Sequence, residues 1–438
     1  MGKKIFLISH DFLPFSSPRS IRWGHFVKYL ASQGHTIDVL TIKSLRHQTA
    51  YDENLLKSIP SQVNIIRTYP GPLHNIIYDY VSKNSKTLKF FGISFETLVR
   101  KIIKRVFNKA IVPLLIPDKF ILWLPFALNT IKKLSKTNKY DIIISSSNPR
   151  TDHIIGYYFK KWTGTKWMVD YGDPWVFNPG FQRWRYFIDK QIEKRLLKVA
   201  DYLIVTTKET AYGFVKHYPF LKTEAINVIS QGYDDQKYQE ILPENGDLFR
   251  IVYTGIFYDG IREPYAFFEA IKELDNLDIE VVIAGKIYPK FIKWVENNKL
   301  TKKIIFLGYQ EQDKVIALQK GADALLLFGW LDGYQIPGKT FEYFGARRPI
   351  LAIKYDDQDI AANMINEHKC GLVVLNKKEE ILLAIKHLYN LKQTGQTEKY
   401  FNLRSVGEYT WYNLARKLSI AIENITAEMN NSSTTDSI

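Results

Sequence analysis

Residues 322–345, Ala-Asp-Ala-Leu-Leu-Leu-Phe-Gly-Trp-Leu-Asp-Gly-Tyr-Gln-Ile-Pro-Gly-Lys-Thr-Phe-Glu-Tyr-Phe-Gly, decide how this chain folds. The apolar run from Ala322 to Phe328 reads as a buried parallel strand, and Pro337-Gly338 opens a short helix that Gly345 closes. The amides of Gly338, Lys339 and Thr340 are then expected unpaired at a helix N-terminus, where the helix dipole favours an anion such as a diphosphate. One turn on, Glu342 stands where acidic residues near nucleotide-binding turns accept sugar hydroxyls. By themselves these residues fit an ordinary strand, turn and buried helix with one satisfied glutamate better, because such segments are common.

The same alternation continues outward from this stretch. Arg250 to Thr254, Glu280 to Ala284, Ile304 to Leu307 and Pro349 to Ile353 read as strands, and a loop from Gly255 to Pro264 precedes a helix starting near Tyr265. In the N-terminal half, residues 4 to 9 form a strand, followed by a loop from His10 to Arg19, a helix from Ile21 to Gln33 closed by Gly34, and a strand from Ile37 to Ile42. That order is the opening βαβ of a doubly wound sheet. Tyr140 to Ser147, the run ending at Asp170, and Tyr202 to Thr207 are further strands, with helices over Thr151–Thr163 and Ile188–Ala200. The first loop has no Gly-x-Gly-x-x-Gly, which excludes a dinucleotide fingerprint of the oxidoreductase kind.

A chain of 438 residues that is 46% hydrophobic is long enough for two ordinary domains. No window of 18 apolar residues and no signal-peptide pattern is present, so cytoplasmic folding is expected. The single cysteine, Cys370, excludes an intramolecular disulfide and a cysteine zinc cluster, and a small buried core residue is its expected role. A formal charge of +15 calls for an acidic partner. Part of that charge is localised. From Leu98 to Ala110, Leu98, Val99, Ile102, Ile103 and Val106 share one half of the helical wheel, while Arg100, Lys101, Lys104 and Arg105 share the other. With the apolar stretch Ile111 to Leu128 and its Trp123, this segment is expected either to lie on an anionic leaflet or to be a domain helix with a solvated basic face. Nucleic acid is not an expected partner, because no recognition module is present.

Several ordered motifs resemble glycosyltransferase family 4. Ile336 to Leu351 resembles the donor-site signature of the branch that carries Pro-x-Lys-x-Phe-Glu-Tyr, and Glu342 matches the second glutamate of the family's Glu-x7-Glu pair. Position 334, where the first glutamate falls, is Tyr334. Asp170-Tyr171-Gly172-Asp173-Pro174-Trp175 resembles the Asp-x-x-Asp-Pro-Trp motif of the same branch, and Ile226 to Asp234 resembles the Val-Ile-Pro-Asn-Gly-Val-Asp that ends the family's first domain. Ser16-Ser17-Pro18-Arg19 occupies the place of the family's glycine-rich first loop. In the loop after Thr254 the family carries two basic residues, of which Ile256 replaces the first and Arg262 keeps the second.

The resemblance implies an α/β protein of GT-B architecture, two facing Rossmann-like domains with an interdomain cleft. Residues 1–233 are expected as the acceptor-side domain, 234–247 as a linker and 248–405 as the nucleotide-sugar domain. Residues 406–426 are expected as a helix crossing back, and 427–438 as a disordered tail. The implied activity is that of a retaining, metal-independent hexosyl- or N-acetylhexosaminyl-transferase. It needs no cofactor and uses a UDP-, GDP- or dTDP-sugar as co-substrate, with a lipid-linked or glycan acceptor in surface polysaccharide biosynthesis. Asp173, Arg262 and Glu342 are the implied catalytic residues. Gly255, Tyr309, Tyr334, Gly338, Lys339 and Thr340 line the donor side; Ser17, Arg19 and Trp175 line the acceptor side. A non-catalytic membrane-surface or carbohydrate-binding protein on the same fold is the alternative.

Overall fold

The computed structural model describes residues 2–43, 51–72, 89–90, 93–94, 105, 107–178, 183–257, 260, 263–329, 333–404 and 406–432. The chain divides into two compact units, residues 1–230 with 414–438, and residues 231–413.

The first unit runs β1 (Lys4–Ile8), α1 (Pro18–Ser32), β2 (Thr36–Ile42), β3 (Asn64–Thr68), a two-residue antiparallel pair β4 (Lys89–Phe90) and β5 (Ile93–Ser94), and α2 (Leu124–Thr137). It continues with β6 (Ile142–Ser147), α3 (Thr151–Thr163), β7 (Lys166–Tyr171), α4 (Tyr186–Leu197), β8 (Tyr202–Val205), α5 (Lys208–His217) and β9 (Ile226–Val228). Seven parallel strands form its sheet in the order β3-β2-β1-β6-β7-β8-β9. Helices cover the faces of a doubly wound sheet, so its strands read as continuous apolar runs; β6 is buried along its whole length. Phe6, Ile8, Ile143, Trp167 and Val169 lie at the centre of this core.

The second unit repeats the scheme. It runs α6 (Asp235–Glu240), β10 (Phe249–Thr254), α7 (Tyr265–Lys272), β11 (Ile279–Ala284), α8 (Pro289–Asn297), β12 (Ile304–Gly308), α9 (Gln312–Lys320) and β13 (Ala324–Phe328). Then come α10 (Gly338–Ala346), β14 (Ile350–Lys354), α11 (Ile360–His368), β15 (Gly371–Leu375), α12 (Lys378–Gln393), α13 (Thr397–Tyr400) and α14 (Trp411–Ser432), whose residues from Leu414 on belong to the first unit. Its six parallel strands are ordered β12-β11-β10-β13-β14-β15. Cys370 is buried just before β15, and burial pushes its thiol up to about 12.

Four local readings change. Helix α1 starts at Pro18, inside the expected loop, because Ser17 caps it by accepting from the Ser20 amide and Pro18 suits the first helical position. The segment 234–247 contains α6, whose Tyr238 is buried, so it packs as an element of the second unit. Helix α14 runs to Ser432, into the expected tail, of which 433–438 lie outside the described residues. Trp123 does not face outward: it is fully buried, and its indole N–H donates to Thr68 Oγ1 at 2.7 Å. Most of the basic segment 98–110, including Lys101 and Lys104, lies outside the described residues; Phe107–Ile111 is a π-helical turn. Among the described residues no helix is long and apolar enough to cross a membrane.

Candidate functional site

In a doubly wound sheet, ligands gather at the carboxyl ends of strands where the strand order reverses. In the second unit that place is between β10 and β13. Gly255, immediately after β10, holds φ +149°, a conformation open to glycine. A Cβ there would stand 2.1 Å from Lys339 Cε and 2.8 Å from its Nζ. The Lys339 side chain therefore leaves the first turn of α10 and lies across the bare face of Gly255. Among the described residues Lys339 has no carboxylate partner.

The amino end of α10 adds to this positive corner. Pro337 at the N-cap offers no side-chain oxygen, so the amides of Gly338 and Lys339 stay uncapped. The Thr340 amide, expected free, instead donates to the Pro337 carbonyl at 2.9 Å, because the first turn closes tightly on that carbonyl. The Thr340 hydroxyl is buried and has no partner among the described residues. Helix dipole, two amides with no partner among the described residues, and an ammonium group together favour an anion.

Glu342 lies one turn along the same helix and is half-buried. One of its oxygens accepts from Gln319 Nε2 at 3.2 Å. Gln319 is fully buried at the end of α9; its Nε2 also donates to Thr254 Oγ1 at 2.9 Å, and its carbonyl accepts from the Tyr238 hydroxyl at 2.6 Å. The Tyr343 hydroxyl accepts from the Thr254 amide at 3.1 Å and donates to the Leu326 carbonyl at 3.1 Å. Five elements thus fix one carboxylate oxygen of Glu342, while the other has no partner among the described residues. Sequence reasoning missed Gln319 and Thr254. The available signal was a glutamine one helical turn after Ile316 on the buried stripe of α9.

Tyr309 follows β12 and is 88% exposed, and Tyr334 is half-buried between β13 and α10. Arg262 lies outside the described residues. Ile256 leaves the position after Gly255 without charge.

In the first unit the carboxyl ends of β6 and β7 converge on Asp170, which is fully buried. It accepts from Ser146 Oγ at 2.8 Å and Trp23 Nε1 at 2.9 Å, and pairs with Arg22 at 3.4 Å and Arg19 at 3.5 Å. Burial alone would push its carboxyl up, but Arg22, Arg19 and the two hydrogen bonds outweigh it and hold Asp170 below the usual carboxylate range. Arg22, also fully buried, donates in addition to the carbonyls of Ile229 and Ser230. Arg19 lies over Gly172, where a Cβ would meet its Nη2 at 2.1 Å. Asp173 follows at the strand end, half-buried and with no partner among the described residues, so it caps no turn there. Arg19 and Asp173 are therefore brought to one edge. Ser17 spends its hydroxyl on the α1 cap, and Trp175 lies in the core beneath the Arg150 guanidinium, 5.4 Å from the ring centre.

No family model matches the chain. An uncharacterized glycosyltransferase of Methanocaldococcus jannaschii is 23% identical over 280 residues, which cover 60% of this chain and 70% of that relative. A glycosyltransferase of Rickettsia africae superposes with a TM-score of 0.61 at 16% identity, over 97% of this chain and 98% of its own. The Anabaena protein HepE, solved in complex with UDP, gives 0.57 at 11% identity, over 99% and 100%. A UDP-N-acetylglucosamine 2-epimerase gives 0.54 at 13% identity, over 95% and 94%. At such identities the likeness is one of fold. The chain has the pair of parallel-sheet α/β domains of the GT-B class, which hosts transferases and epimerases alike.

Proposed function

We propose that this protein is a glycosyltransferase that moves a hexosyl or N-acetylhexosaminyl group from a nucleotide-diphosphate sugar to a lipid-linked or glycan acceptor. The observation that carries the reading is the corner at β10 and α10, where Lys339 crosses Gly255 beside two free amides and Gln319 holds Glu342 one turn away. A diphosphate fits the positive corner, and the free oxygen of Glu342 suits ribose hydroxyls. As the glycosidic bond breaks, negative charge grows on the leaving diphosphate, and preorganised donors stabilise it without a divalent ion. Lys339 supplies the cation that Ile256 lacks, and Arg262 supplies a second. Tyr309 offers a ring to the nucleobase, and Tyr334 stands at the sugar side in place of a glutamate.

In the first unit, Arg19 and Asp173 are the acceptor-side groups. Asp173 has a carboxylate available to polarise the reacting hydroxyl. Retention of configuration, through a same-face displacement without a protein nucleophile, follows from the resemblance to family 4. That resemblance also supports surface polysaccharide biosynthesis at the inner face of the cell membrane. A thermal-shift screen against UDP-, GDP- and dTDP-sugars, followed by a donor-hydrolysis assay, tests the proposal: one class should stabilise the protein and be turned over. Stabilisation with no turnover would favour the non-catalytic alternative, which the substitutions at Ile256 and Tyr334 support; an epimerised sugar product would move the protein to the epimerases.

A further inference from the structure

Helices α2, α3 and α4 lie side by side on the first unit. They carry three carboxylates, Asp152, Asp189 and Glu193, and all three are fully buried. Their exposed charges are all positive, among them Lys132, Lys133, Lys161, Lys194 and Arg195. Large apolar side chains are exposed on or next to these helices. Phe187 is 78% exposed, Trp184 59% and Trp162 45%. Arg185 fastens the Trp184 turn to the preceding segment by donating to the carbonyls of Leu115 and Pro117, which brings Leu114, 73% exposed, alongside.

We propose that this α2–α4 face, with Trp184, Phe187 and Leu114 as its apolar tips, docks on an anionic lipid bilayer. Tryptophan and phenylalanine above a row of basic residues is the composition of an interfacial anchor: rings enter the boundary of the acyl chains, and cations meet the headgroups. A second copy of the chain is the poorer occupant, because a two-fold contact would set one positive face against another. The inference deepens the proposed function by giving the enzyme a surface from which to reach a lipid-linked acceptor, but it does not depend on which sugar is moved. It leaves Trp123 out of the membrane contact, since that residue is buried in the core.

Sedimentation of the full chain with vesicles tests this surface. Vesicles of phosphatidylcholine with phosphatidylglycerol should bind the protein, those of phosphatidylcholine alone should bind it far less, and raising salt from 0.1 to 1 M should release it as the Debye length falls from about 10 to about 3 Å. Two independent double variants, Trp184→Ser with Phe187→Ser and Lys194→Glu with Arg195→Glu, should each lower partitioning at least about tenfold with unfolding temperature unchanged. Equal binding to both vesicle types, or parent-like binding by both variants, would overturn the proposal. So would loss of a concentration-dependent dimer, or of nucleic-acid binding, in the variants of a chain that ignores vesicles. Vesicle binding by a protein that takes up no nucleotide sugar would leave the surface standing and remove the transferase reading.

Discussion

In the first unit, Asp170 at the end of β7 answers Arg19, Arg22, Trp23 and Ser146 at once, whereas in the second, Lys339 reaches the end of β10 with no carboxylate among the described residues to meet it. Both places lie at the carboxyl end of a parallel sheet, and both hold cations over a glycine, Arg19 over Gly172 and Lys339 over Gly255. One keeps its balancing charge inside the protein. The other has a charge, two amides and one oxygen of Glu342 with no partner among the described residues. The proposed function rests on that difference: Asp170 holds its strand end together from within, and the proposed diphosphate would answer the charge at the other.

The contrast predicts opposite consequences for stability. Asp170→Ala strands a fully buried Arg22 and should cost about 3–5 kcal/mol in urea unfolding, while Lys339→Ala should change stability by less than about 0.5 kcal/mol. The pH profile sharpens this. The folded-state pKa of Asp170 is depressed, so its contribution is present above the unfolded carboxylate value of about 3.9 and is lost as pH falls through the lower folded value. The stability difference between the parent and Asp170→Asn should therefore shrink below about pH 4. A difference that grows with acid would break the account of the first unit.

On the second unit the largest expected effect is on binding. Glu342→Ala should weaken nucleotide-sugar binding by about 1.5–3 kcal/mol in calorimetry, the range for hydrogen bonds to a charged group, with the fold intact. Gly255→Ala forces a side chain into a left-handed backbone position and onto Lys339, so strain of about 1–3 kcal/mol in thermal unfolding should accompany weaker UDP binding. A variant that loses stability but binds UDP like the parent would show that Lys339 does not use that path. Smallest is Tyr309→Ala. An aromatic contact to a nucleobase is worth about 0.5–1.5 kcal/mol, to be read as an equal loss of affinity for uridine and UDP.

Much of this was legible from residues alone. Apolar runs such as Ile5–Ile8 in the first unit and Ala324–Phe328 in the second announced a parallel sheet in each, because strands covered on both faces need no polar alternation. The amino end of α10 was legible through Pro337-Gly338, and Glu342 through its place one turn on. What escaped depends on contacts distant in sequence. Gln319 reaches Glu342 and Thr254 only once α9 packs beside α10 and β10, and Trp123 finds Thr68 only after β3 is in the sheet. The segment from Arg100 to Lys109 reads as basic because its charges are contiguous there. On α2, α3 and α4 the cationic face emerges only when folding hides Asp152, Asp189 and Glu193, and composition counts those carboxylates in full.

The central claim is that the strand end of the second unit is built for a diphosphate, and calorimetric titration of the parent and Lys339→Ala with UDP and with uridine tests it most directly. A cation placed for phosphate oxygens should make UDP bind about 1.5–3 kcal/mol more weakly to the variant and leave uridine unaffected. Equal losses for both ligands, or no loss for UDP, would contradict it.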